Sequence, residues 1–213
     1  MMKFSIFGRI DNANVWKSAD LDGLANLVHR DSAVKMLTLK CRDPKNDGID
    51  WKKRMRVTCL GGSFGPIDVE RHRDEKRHNA RNCRGYRNEA HIDWTARTGL
   101  VSVDLDNLQD AGQVQYCLQW RVPEIATSWI SARGRGLKLG VLVNPIPTNG
   151  RAAMDAWTAA VAHIIDELLL FKLEQNRDYK IDQTHALVHA SIISHDEPSQ
   201  TCLLYTSPSP RDS

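Results

Sequence analysis

Apolar residues recur along this chain with two periods, and the switches between them mark out its elements. Between residues 19 and 29, Leu21, Leu24, Leu27 and Val28 fall three or four apart behind Ser18, a residue type that caps helices. A short amphipathic helix is expected there, and Val34, Leu37 and Cys41 carry its spacing on weakly. The composition of 43–48, DPKNDG, predicts a turn. Residues 55–60 then predict a short strand ending at Gly61-Gly62, where the backbone is free to take positive φ or to approach another chain segment closely.

The second half is more regular. Residues 99–106, GLVSVDLD, predict a strand, 110–120 a helix, and 125–130 and 137–143 two strands flanking the turn SARGRG. Residues 149–175 carry the strongest helical pattern, with Ala153, Trp157, Ala160, Val161, Ile164, Ile165, Leu168 and Leu169 on one face. A last strand is expected over 187–194. Strands and helices mix without a strict βα repeat, which predicts an α+β fold, an open mixed sheet flanked by helices.

Composition narrows the field. With 213 residues, 41% of them hydrophobic, the chain can bury one core of ordinary size, and a formal charge of +3 is too small for a protein that coats nucleic acid over its whole surface. Any contact with nucleic acid is therefore local. Residues 71–89 concentrate seven Arg or Lys and three acids, and read either as a solvated loop or as a phosphate-contacting one in which Tyr86 stacks on a base. No apolar run reaches the roughly 18 residues of a membrane span and no secretory leader is evident, so no membrane contact and a cytoplasmic location are expected. Cys41, Cys59, Cys83, Cys117 and Cys202 form no CxxC pair and are read as free thiols; the spacing of His72, His78 and Cys83 matches no zinc pattern. The string CLLYTSPSPRD near the end looks like a translated sequencing adapter. Residues 202–213 are accordingly expected to be a non-native tail, and 1–201 a domain whose natural C-terminal part is missing.

Candidate chemistry lies in the regular half. Asp104 and Asp106 stand two apart on a predicted strand, so both leave one face and can share a divalent cation, Mg²⁺ or Mn²⁺. A DxD pair alone also occurs in metal-dependent glycosyltransferases, and at plain solvated strand ends. Downstream, Ser131-Ala-Arg-Gly-Arg-Gly-Leu-Lys138 forms a turn in which two glycines let N–H groups converge, while Arg133, Arg135 and Lys138 add positive charge and Ser131 a hydroxyl, a combination suited to phosphate.

Together and in this order, TGLVSVDLDNL followed by SWISARGRGLKLGVLV resembles the N-terminal domain of virulence-associated E-type replication proteins, a branch of the archaeo-eukaryotic primase-polymerase superfamily. The N-terminal FSIF, the SFG after the Gly-Gly pair and the closing VHASIISHDEP fit the same pattern, so the resemblance covers residues 3–200. It implies a primase-polymerase core of RRM-like type and metal-dependent nucleotide addition in a replication protein of a mobile element, phage or bacterium. Asp104 and Asp106 then correspond to metal ligands and catalytic residues, Lys138 to a catalytic and nucleotide-binding one. Ser131, Arg133, Arg135 and His189 correspond to nucleotide-binding residues.

A third metal-binding acid is expected before the last strand, Asp182 by preference, with Asp178 also available. The implied substrates are a single-stranded DNA template and nucleoside triphosphates. The resemblance also implies a helicase-type ATPase domain as partner, in the missing part; no Walker A pattern occurs in these residues, so ATP hydrolysis is not expected of them. His189 stands where the family has arginine, and Ala186 where it often has aspartate. A histidine holds phosphate less firmly than a guanidinium, which favours the alternative of a catalytically decayed module that binds nucleotide or DNA.

Overall fold

A computed structural model describes residues 2–9, 15–46, 50–64, 92–143, 151–174, 178–182 and 191–196. In chain order its first elements are the strands Phe4–Phe7 (β1) and Val15–Ala19 (β2), the helices Leu21–Arg30 (α1) and Ser32–Arg42 (α2), and the strands Val57–Cys59 (β3), Gly62–Phe64 (β4) and Ile92–Arg97 (β5). Next come Leu100–Asp106 (β6), the helix Ala111–Arg121 (α3), the strands Ile125–Ile130 (β7) and Gly136–Leu142 (β8), and the helix Arg151–Glu174 (α4). Lys180–Asp182 (β9) and Ser191–Ile192 (β10) complete the order.

The α+β expectation holds, but the strands do not form one mixed sheet. They divide into a four-stranded sheet ordered β10-β3-β1-β2, a second ordered β7-β8-β6-β9, and the pair β4-β5, and every described pairing is antiparallel. Only the β7–β8 pairing follows from a turn as tight as 131–135, which antiparallel strands alone can share; β3–β10 and β6–β9 join strands distant in sequence.

The helix starts follow from carboxylate caps. The expected cap of α1, Ser18, instead sits in β2 opposite Ser5, and Asp20 caps the helix by accepting from Gly23 N at 2.9 Å. The weak spacing after residue 31 proves to be a separate helix, α2, because Asp31 breaks α1 and takes the N–H groups of Ala33 and Val34, both at 2.9 Å. Asp110 caps α3 in the same way through Gln113 N. In α4 the buried side chains include Val161, Ile164, Ile165, Leu168 and Phe171; Leu169, expected on that face, is 37% exposed.

The second sheet has two different faces. Val101, Val103 and Leu105 of β6 and Leu137, Leu139 and Val141 of β8 point toward α3 and α4 and form the larger core. The alternate residues, Leu100 and Asp104 on β6 and Lys138 and Gly140 on β8, turn the other way. On that side Leu100 and Trp129 join Phe4, Ile6, Leu24, Leu27 and Leu60 in a second core. Gly140 permits this docking, since a Cβ there would stand 2.6 Å from Thr127 Cγ2 and 2.7 Å from Leu60 Cδ1. Trp129, fully buried, also donates its indole N–H to Ile192 O at 3.0 Å, so one side chain of the second sheet bonds directly to the first.

Two consequences can be measured. Trp129→Phe is expected to lower stability by about 2–3 kcal/mol, since it opens a void and strands the Ile192 carbonyl. Urea unfolding checks this. Asp31 is pushed up by burial, but hydrogen bonds from Val34, Arg56 and Ala33 and the Arg56 charge outweigh that and hold its carboxyl below the ordinary range. With the folded value below the unfolded one, its stabilisation is complete above the unfolded pKa and is lost as pH falls through the folded value. Asp31→Ala should cost about 1–2 kcal/mol near pH 7. The gap from the wild type should close as unfolding curves are repeated toward about pH 2.

Candidate functional site

The alternation that sends Leu105 into the larger core sends Asp104 and Asp106 to the opposite face. The i, i+2 spacing predicts that shared face; on it Asp104 is buried and Asp106 half-buried, at the end of β6. Asn107 follows with φ of 65°, a left-handed turn that Asn tolerates and that leads the chain away toward α3.

The register of β8 brings the other motif to the same place: Asp104 lies opposite Lys138, and Asp106 opposite Gly136. Lys138 Nζ forms a close ion pair with Asp104 Oδ2, and Ser191 Oγ donates to Asp104 Oδ1 at 3.3 Å. At Gly136 an added Cβ would meet Leu105 O at 2.5 Å and both Asp106 Oδ1 and Ser131 Oγ at 3.2 Å. The Asp106 carboxylate and the Ser131 hydroxyl therefore converge on one point, on the same side of the sheet. Gly136 is required because the obstructing atom is backbone, which cannot swing aside.

The turn itself is closed by Ser131 N→Gly136 O at 2.7 Å and Gly134 N→Ser131 O at 2.8 Å, with Gly134 at φ 76°. The Gly134 N–H is thus donated within the turn, while the Arg133 and Arg135 side chains are exposed. Of the two proposed third acids, Asp178 is exposed and pairs with Lys172 at 3.6 Å. The backbone of Asp182 lies directly opposite Asp104 on the other edge of β6. His189, Ala186, the basic stretch 71–89 with Tyr86, His72, His78 and Cys83, and residues 202–213 lie outside the described residues.

Three cations that the sequence reading passed over belong here. Arg42, at the end of α2, donates from Nη2 to Ser131 O and to His195 O, both at 3.3 Å, and so ties α2 to the turn. Lys52 is pushed down in pKa by burial first and then by the positive charges of Arg133 and Lys138, while Asp106 opposes the shift. Together with Lys40 these residues face Arg133 and Arg135 across a cavity of about 540 Å³. The run WKKRMR at 51–56 was the available signal, but nothing local distinguishes Lys52 from its exposed neighbours Lys53 and Arg54.

Two carboxylates on one face suit a hard divalent cation, which takes one or two carboxylates alongside phosphate oxygens and water. Among the described residues no group of three or more His, Cys, Asp or Glu side chains converges. Cys41, Cys59 and Cys117 are free thiols, and burial pushes that of Cys59 up to about 12. Among the described residues no helix is long and apolar enough to cross a membrane. Comparison with protein-family models, curated proteins and solved structures finds no match to the chain.

The side chains of Lys138 and Asp104 are only 12% and 10% exposed, so each depends on the other for compensation. Lys138→Ala is expected to cost about 3 kcal/mol or more by taking its lysine partner from a buried carboxylate. Asp104→Asn combined with Lys138→Met should recover most of that loss, because both charges then disappear together. Chemical denaturation of the wild type and the two variants checks the pattern; equal losses in the single and double variants would contradict it.

Proposed function

We propose that this chain is a metal-dependent nucleotidyltransferase domain of the primase-polymerase kind, adding nucleotides to DNA on a single-stranded template. The observation that carries the reading is the convergence of Asp106 and Ser131 at Gly136, beside the Asp104–Lys138 pair and next to a cation-lined cavity. Acids and phosphate-binding groups thereby share one sheet face, an arrangement that phosphoryl transfer needs and a solvated strand end does not.

In this reading Asp104 and Asp106 hold Mg²⁺ or Mn²⁺, with Asp182 as the third acid. A cation held by these acids would supply charge neutralisation to the transferred phosphoryl group. Lys138 balances Asp104 and limits the negative charge that an approaching triphosphate meets. Ser131 offers a hydroxyl donor, and Arg133 and Arg135 supply charge-assisted hydrogen bonds to phosphate oxygens. Burial of Asp104 keeps one of the acids fixed in place before substrate arrives. A helicase-type ATPase is the partner that the family resemblance implies.

A second reading, a module that binds nucleotide or DNA without incorporating it, draws on one observation: both oxygens of Asp104 already have partners, Lys138 and Ser191. Incorporation on a primed or unprimed single-stranded template, with Mg²⁺ or Mn²⁺, separates the two. Asp106→Asn is expected to reduce incorporation at least about a hundredfold with folding intact, since an amide brings no charge to a divalent ion. A folded wild type that binds nucleotide and DNA yet incorporates nothing would replace the first reading with the second.

A further inference from the structure

We infer that the cavity between the end of α2, the 3-10 turn at Trp51–Arg54 and the Ser131–Gly136 turn binds a condensed phosphate chain, with Lys40, Arg42 and Lys52 gripping it as directly as Arg133 and Arg135. The inference deepens the nucleotidyltransferase reading and rests on it only for the expectation that the chain belongs to a nucleotide.

Charge is the first argument. Five cationic side chains line the cavity against two carboxylates, Asp43 and Asp50, and both acids are otherwise engaged. Asp43 accepts from Lys45 N at 2.9 Å and from Asn46 Nδ2 at 3.1 Å, while Asp50 pairs with Lys53 at 3.5 Å. Among the described residues Lys52, Arg133 and Arg135 form no ion pair. A half-buried lysine that feels Arg133 and Lys138 is an unfavourable arrangement, and a polyanion between them relieves it.

Shape and donors point the same way. About 540 Å³ lies within the roughly 300–1,000 Å³ of small-molecule sites, and the cavity walls come from opposite halves of the chain. Lys40 is held over the Trp51 ring, its Nζ 4.4 Å from the centroid, with Arg54 4.9 Å from the same ring. Cation–π contact fixes the lysine without neutralising it. Trp51 also keeps a buried indole N–H with no acceptor among the described residues. The Arg42 bonds to Ser131 O and His195 O set one wall rigidly against the other.

The test is calorimetric titration of the full chain with tripolyphosphate, ATP and a short single-stranded oligonucleotide, in low salt with chelator so that no metal takes part. Tripolyphosphate is expected to bind with one site, and Lys40→Ala, Lys52→Ala and Arg133→Ala each to weaken it about tenfold. Lys52→Arg should keep most of the affinity, which separates lost charge from lost folding. Lys45→Ala removes an equal charge beside the cavity without lining it, and should change affinity by no more than about twofold.

ATP binding tighter than tripolyphosphate identifies a nucleotide as the source, and equal affinity a free polyphosphate; both support the site. Three results overturn it: a folded wild type that binds neither, Lys40→Ala and Lys52→Ala variants that bind like the wild type, or Lys45→Ala weakening binding as much as Lys52→Ala. Oligonucleotide binding that depends on Lys52 without any tripolyphosphate binding also overturns it, in favour of a strand-binding groove. Polyphosphate binding in a protein that incorporates no nucleotide would remove the proposed reaction and leave this site standing. Incorporation that persists while Lys40→Ala and Lys52→Ala bind normally would do the reverse.

Discussion

Six residues, 191–196, tie the two four-stranded sheets to α1, α2 and α3, because most of their polar groups are buried and need partners. Ser191 reaches Asp104 on β6, Ile193 N donates to Arg56 O, and Ser194 Oγ donates to Ile130 O at 2.6 Å. His195 N donates to Thr38 Oγ1 of α2, and its Nδ1 lies 2.9 Å from Val28 O of α1. Asp196, 3% exposed, accepts from Ile130 N at 3.0 Å and from Gln115 Nε2 of α3 at 3.3 Å. A buried carboxylate without such donors would be costly, so the segment tolerates only one placement of the elements around it.

That placement makes the site. With β10 on β3 and Trp129 bonded to Ile192, the face of β6 that bears Asp104 and Asp106 is turned toward the N-terminal sheet and not toward open water. Arg42 closes the remaining gap by bonding one carbonyl of the turn and one of the 191–196 segment. Two absent side chains matter as much as those present. Gly140 admits Leu60 against the sheet, and Gly136 lets the turn lie on the Leu105 carbonyl. A methyl at Gly136 meets the Leu105 carbonyl, which cannot swing aside; one at Gly140 meets the ends of the buried Thr127 and Leu60 side chains.

The parts of this arrangement that the sequence disclosed are those whose cause is local. The β6 alternation that places Leu105 in the core and Asp104 and Asp106 opposite it can be read from seven residues, and the length of α4 from one repeating spacing. The strand-turn-strand around SARGRG is similarly visible, because glycines sit where the chain must double back. What escaped notice depends on contacts distant in sequence. Nothing around Lys52 announces that Arg133 stands nearby, nothing around Ser191 that Asp104 will accept a hydrogen bond from it, and Asp20 caps α1 while Ser18 lies in the β2 ladder opposite β1. The split into two antiparallel sheets is of the same kind, since strand partners are chosen by packing that no window of residues contains.

The position of β10 has a further consequence for the order of events during folding. It is an outer strand of a sheet whose other members lie within the first 59 residues, so that sheet gains its last strand only after more than a hundred further residues have been made. Contacts of such long sequence separation slow folding, since the loop between them must be closed before they repay its entropy. Until then the open edge of β3 is an unpaired ladder of N–H and C=O groups, the kind of edge that recruits strands from other chains. On the ribosome the N-terminal sheet therefore waits, with one side unfinished, for the segment that also completes the environment of Asp104.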